Sequence, residues 1–219
     1  MTRISDFSTD EFYHIYNRGT DKRNIFKTSR DYERFLALLY LCNQDKPVDL
    51  KRQGPTLSEI LAQQRDETLV SLVSYCLMPN HFHLLLQCRE PLGVSKYVQK
   101  VNTGYTMYFN NRHDRSGVLF QGKFKSTHVH DDRYLKYLIT YIHLNPVKLI
   151  DPEWKENGIR DRTAAECYLK NFRYSSYLDH IDKTRIETPI IDREKLRGYM
   201  ATVSDFKEHV REWLDKRTD

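Results

Sequence analysis

The 219-residue chain has no apolar run near the ~18 residues a membrane-spanning helix requires. Its mean hydropathy is -0.71, and 30% of its residues are charged, so a polar-surfaced, soluble protein is expected. The opening Met1-Thr2-Arg3-Ile4-Ser5-Asp6-Phe7 is too polar for a signal peptide. The four cysteines, Cys42, Cys76, Cys88 and Cys167, are far apart and form no C-x-x-C pair. That argues against a disulfide framework or a thiolate zinc site, and for a reducing cytoplasm. Neither G-x-x-x-x-G-K-[ST] nor G-x-G-x-x-G occurs, so ATP, GTP and NAD chemistry have no support. No nucleophile elbow frames a serine or cysteine. Internal repeats and low-complexity tracts are also lacking.

What is present is uneven charge. The formal net charge is +5. Between Lys96 and Lys148 stand nine basic residues (Lys96, Lys100, Arg112, Arg115, Lys123, Lys125, Arg133, Lys136 and Lys148) against the acids Asp114, Asp131 and Asp132. The rest of the chain is close to neutral. The same window holds Tyr97, Tyr105, Tyr108, Phe109, Phe120, Phe124, Tyr134, Tyr137 and Tyr141. Cations for phosphates interleaved with rings for bases suit single-stranded nucleic acid. An aromatic core under a solvated basic surface explains the composition equally well.

Alternation predicts a strand over 11–18, closed by Gly19. Ser29 is placed to cap a helix from about 30 to 43, with Phe35, Leu38, Leu39 and Cys42 at helical spacing. Residues 45–68, with Pro47, Gly54 and Pro55, read as an insertion carrying a short helical stretch after Ser58 and no strong apolar stripe. Residues 69–78 and 81–88 read as two strands joined by a Pro79-Asn80 turn. A long helix is expected over 93–111 and a strand over 118–129, with Phe120 and Phe124 on one side and Gln121, Lys123 and Lys125 on the other. Asp131 caps a further helix ending near Asn145-Pro146. This order is that of an α+β fold: a ferredoxin-like βαββαβ antiparallel sheet with one appended helix. Residues 151–219 read as a C-terminal helical extension ending in a charged amphipathic segment over 204–216.

Two constellations carry chemistry. In His81-Phe82-His83 both imidazoles share one face of a strand and Phe82 takes the other. Such a pair can chelate one divalent cation, but two histidines cannot close a structural zinc site, which favours an open site completed by oxygen and a substrate phosphate. Two ordinary surface histidines would show the same pattern. The second constellation, Tyr134, Tyr137, Tyr141 and Asn145, lies along one helical face. A tyrosine stripe ordinarily packs or stacks. Tyr141, however, stands one turn from Asn145, placing a phenol beside a carboxamide, and an activated tyrosine is a covalent nucleophile. His14, His128, His130 and His143 read as structural or surface residues.

Met78-Pro79-Asn80-His81-Phe82-His83-Leu84-Leu85 resembles the HUH motif of single-tyrosine transposases, which include the REP-associated tyrosine transposases. Tyr13-His14-Ile15-Tyr16-Asn17-Arg18-Gly19 resembles the family's first strand, and Leu119-Phe120-Gln121-Gly122-Lys123-Phe124-Lys125 its basic fourth strand. Tyr141-Ile142-His143-Leu144-Asn145-Pro146-Val147-Lys148 is similar to the catalytic helix, and Arg173-Tyr174-Ser175-Ser176-Tyr177 to a signature of the REP-associated branch. The five motifs occur in order over roughly 10–180; residues 45–68 and about the last forty lie outside the resemblance. It implies a catalytic domain over 1–150 and an extension over 151–219. It implies a metal-dependent single-stranded DNA endonuclease and strand transferase, holding Mg or Mn through His81, His83 and Asn145. Tyr141 would be the nucleophile of a 5'-phosphotyrosine intermediate, on hairpin-bearing DNA at repeat ends, in a bacterial or archaeal cytoplasm. Tyr137, one turn earlier, is the alternative nucleophile; Tyr141 is preferred because Asn145 follows it by one turn. Arg112, Arg115, Lys123 and Lys125 are candidate DNA contacts.

The rival readings are a non-catalytic single-stranded nucleic-acid-binding descendant and a phosphodiesterase that uses water. An RNA-recognition module shares the βαββαβ plan, but its ring-bearing strand signature is absent. Either a monomer or a homodimer is compatible with the resemblance, and packing of 151–219 over the Tyr141 helix would favour the monomer.

Overall fold

The computed structural model describes residues 7–48, 56–196, 198–200 and 202–215. Its centre is the hairpin of β2 (Val70–Met78) and β3 (His81–Cys88). The Pro79-Asn80 turn brings Met78 opposite His81. β1 (Phe12–Arg18) lies antiparallel to β3 on one side and to β4 (Lys125–Val129) on the other. The sheet order is β2-β3-β1-β4 with every neighbour antiparallel, the expected ferredoxin-like arrangement.

Strand alternation sorts the side chains onto two faces. Phe82, Leu84 and Leu86 of β3, with Tyr13 and Ile15 of β1, meet α1 (Ser29–Leu41) and α3 (Gly93–Arg112). Leu85 and Phe12 face the other way, into a second core built by α4 (Asp132–Leu144), α6 (Arg162–Asn171) and α8 (Val203–Asp215). The short helices α2 (Leu57–Leu61), α5 (Trp154–Asn157) and α7 (Tyr177–His180) complete the chain.

Several boundaries differ from expectation. The cap of α1 is Thr28, not Ser29, in a reciprocal capping box with Asp31. In the insertion, Thr56 and Glu59 form a second capping box, and Leu57, Ile60 and Leu61 of α2 are buried, an apolar face too short to read as a stripe. Residues 49–55 of that insertion lie outside the described residues. The strand expected from 118 begins only at Lys125. Before it, Phe120 makes a single bridge to Gly19, and Gly122 turns the chain at φ 71°, a conformation that ends a ladder.

Residues beyond 150 lie against the same sheet. The edge of β2 is extended by 174–176: Leu77 N–H donates to Tyr174 O at 2.9 Å, and Ser176 N–H to Tyr75 O at 3.0 Å. Arg185 fastens this segment by donating to Asp179 Oδ2, to Tyr75 Oη at 2.8 Å and to the carbonyls of Arg173 and Ser175. Helix α8 packs over α4, setting Trp213 on Tyr137 and Phe206 on His143.

Candidate active site

His81 and His83 leave β3 on the face that α4 covers, while Phe82 is fully buried in the opposite core. Their rings stand 5.0 Å apart, nearly perpendicular. His81 Nδ1 is 2.6 Å from Asn80 Oδ1, an oxygen that can only accept, so Nδ1 carries the proton and Nε2 keeps its lone pair. His83 Nδ1 is 2.8 Å from Nε2 of His14. When His83 donates there, its Nε2 is also free. Burial holds all three rings neutral. It pushes His14 and His81 down to about 4, the latter aided by Arg18, Lys155 and Lys148, and His83 well below its ordinary range.

Asp131 starts α4 by accepting from Tyr134 N–H at 2.7 Å. The helix then carries Tyr134, Tyr137 and Tyr141 as a stacked series, with centroids 5.9 and 6.1 Å apart. Of the three, Tyr141 is the one whose ring meets the His81–His83 pair, 5.9 Å from that of His83, edge to face. Tyr137 packs against Trp213 instead. Asn145, buried just past the helix end, donates its Nδ2 to Tyr141 O at 2.8 Å, which turns Oδ1 into the group open for ligation.

His81, His83, Tyr141 and Asn145 line one cavity of about 710 Å³. Arg18, Lys125, Lys148 and Lys155 also line it, and no carboxylate does among the described residues. A concave wall of four cations with neutral imidazoles is suited to a phosphodiester. Among the described residues no three His, Cys, Asp or Glu side chains cluster to hold a metal. The available donors are two imidazoles and one carboxamide, the open oxygen-completed set that suits a divalent ion bound together with a phosphate.

Of the four candidate DNA contacts, only Lys125 lines the cavity, beside Tyr16 on β1. Lys123 is exposed on the preceding loop. Arg112 lies at the end of α3 near Asp31, at 3.6 Å, and Arg115 is tied to Asn110, so neither joins this site. His128 and His130 are surface residues paired with Glu11 and Asp131. His143 is buried against Ser176 and Ile139 O. Sequence reasoning read His14 as structural or surface, yet it stands 69 positions from His83 and meets it through the β1–β3 register; it passed over Lys155, which donates to Tyr141 Oη at 2.7 Å.

The family model described as "Transposase IS200 like" matches residues 9–145, well over half the chain. The chain belongs to the IS200-like transposase family. Its fold is similar to a solved structure titled "Structure of the REP associates tyrosine transposase bound to a REP hairpin", with a TM-score of 0.53 and 12% identity over 83% of this chain and 86% of that one. No match was found among curated proteins. No helix among the described residues is long and apolar enough to cross a membrane.

Proposed function

We propose that this IS200-like transposase cuts and rejoins single-stranded DNA beside a hairpin through a covalent Tyr141–DNA intermediate. The observation that carries the reading is the meeting of the Tyr141 ring with the His81–His83 pair inside a cavity walled by cations. The hairpin preference rests on the likeness to the REP-hairpin-bound structure.

Arg18, Lys125 and Lys148 hold the phosphodiester. His81, His83 and Asn145 would hold a divalent ion, which when bound polarises the scissile phosphate. Tyr141 Oη forms a bond to phosphorus as the bond from phosphorus to the 3' oxygen breaks. The phenolic proton passes to water, and the departing oxygen takes one from water to become a 3'-hydroxyl. A second 3'-hydroxyl reverses these bonds and frees the tyrosine. The phosphoester energy is conserved, which agrees with a chain that has no nucleotide-binding loop. His14 orients His83 through the 2.8 Å contact and leaves its Nε2 toward the cavity.

Incubation with hairpin-bearing single strands labelled at either end, with Mg or Mn, followed by a denaturing gel, tests the reading. Protein retaining the strand 3' of the cut, and losing it in Tyr141→Phe or with chelator, is expected. Cleavage without an adduct would indicate hydrolysis by water. Binding without cleavage would leave a DNA-binding descendant.

A further inference from the structure

Lys155 belongs to the segment beyond the family match, and nothing in the HUH pair or the tyrosine helix calls for it. Yet its ammonium donates to Tyr141 Oη at 2.7 Å and sits 4.2 Å from the centre of the same ring. The placement is built. After α4 the chain makes one 3-10 stretch, Asn145–Leu149, and Asp151 then closes the following loop by accepting from Arg160 at 2.9 and 2.8 Å. Trp154, the first residue of α5, is buried with its ring 6.1 Å from Trp213 of α8, and this anchors the helix that presents Lys155. No acid competes for Lys155 among the residues lining the cavity.

Resting on the strand-transfer reading above, we propose that Lys155 is the positioning residue of the nucleophile, holding the phenol oxygen at the phosphate and bearing its charge in both directions of the reaction. In cleavage the Tyr141 Oη–P bond forms, the bond to the 3' oxygen breaks and the phenolic proton leaves to water. Lys155 keeps its own protons, and its N–H meets the oxygen lone pair as negative charge builds. In rejoining, the incoming 3' oxygen bonds to phosphorus and gives its proton to water as the Oη–P bond breaks, and the same N–H receives the leaving phenolate until water reprotonates it. A donor already in place costs no reorganisation at that moment. The second contact, over the ring face, limits swinging of the tyrosine away from the cavity.

The test is single-turnover adduct formation with hairpin-bearing single-stranded DNA, measured beside the Kd for the same DNA. Lys155 is exposed, so its replacement leaves the fold intact. Lys155→Met is expected to slow adduct formation by about a hundredfold, the scale of losing one preorganised donor, with the Kd changed less than threefold. Lys155→Arg should recover most of the rate. In the Lys155→Met background, 3,5-difluorotyrosine at position 141 should restore much of the lost rate, because its oxygen carries charge with less help. The proposal is overturned if Lys155→Met keeps the wild-type rate, if its loss appears wholly in Kd, or if fluorination leaves the gap unchanged. A wild-type chain that binds DNA and makes no adduct would instead overturn the reading of the site, and this inference with it.

Discussion

At the scale of single residues, the site depends on which atoms are kept free. Asn80 and His14 contact the Nδ1 atoms of His81 and His83, and Tyr141 O takes the Asn145 amide, so the atoms left to hold an ion would be the two Nε2 atoms and Asn145 Oδ1. Tyr141→Phe keeps the ring stack and loses only the hydroxyl. It is expected to abolish the covalent adduct while changing thermal stability by no more than about 1 kcal/mol, and Tyr137→Phe should leave the adduct in place. The same burial that keeps histidines neutral gives a pH dependence away from the site. His180 is held down at about 4 by desolvation, and buried His143 lies well below its ordinary value. The unfolded chain takes up these protons near 6.5, and the folded one does so only at much lower pH. Stability is therefore full above about pH 6.5 and falls as pH drops toward 4, by roughly 3 kcal/mol for His180 alone. Urea unfolding at pH 7.5, 6 and 5 checks this, and a flat profile would contradict it. Alternation placed His81 and His83 on one strand face, and the resemblance singled them out as the HUH pair. His14 was not, because only the strand register carries it to His83.

At the scale of elements, α4 links a surface cap to the chemistry. Asp131 accepts from Tyr134 N–H at the start of the helix, and Tyr141 lies in its last turn. Asp131→Ala is expected to cost about 1 kcal/mol in urea unfolding while leaving adduct formation detectable, since the far end of the helix is held by the sheet and by α8. The strands and long helices were legible because each is strongly periodic. The strand expected from 118 failed because hydrophobic alternation through Phe120 and Phe124 outweighed Gly122, whose positive φ ends the pairing. Lys155 was out of reach for a related reason. Its helix has four residues and no periodicity, and its position follows from the Asp151–Arg160 closure and the buried Trp154.

At the scale of the whole molecule, the segment after residue 150 completes the core. It supplies the bonding edge at 174–176, the Arg185 clasp and the cover over α4. Arg185→Met would strand the buried Asp179 carboxylate without its partner and should cost about 3–5 kcal/mol, seen as a lowered urea midpoint. A chain truncated after 150 exposes Val73, Cys76, Leu138 and Ile142 together and loses Lys155, so no cooperative unfolding transition is expected from it. The same packing of α8 on α4 supports a monomer. Light scattering should give a mass near 26.3 kDa, and twice that value would point to a homodimer.

The most direct test of the central account is the location of the DNA on the chain. Tryptic cleavage after Lys136 and Lys148 releases one peptide, residues 137–148, that contains both candidate tyrosines. Fragment-ion mass spectrometry of the trapped adduct, after nuclease trimming, assigns the added nucleotide to one of them. The account expects it on Tyr141, bonded through a 5'-phosphate. A nucleotide on Tyr137, or on any residue outside the cavity, would contradict it.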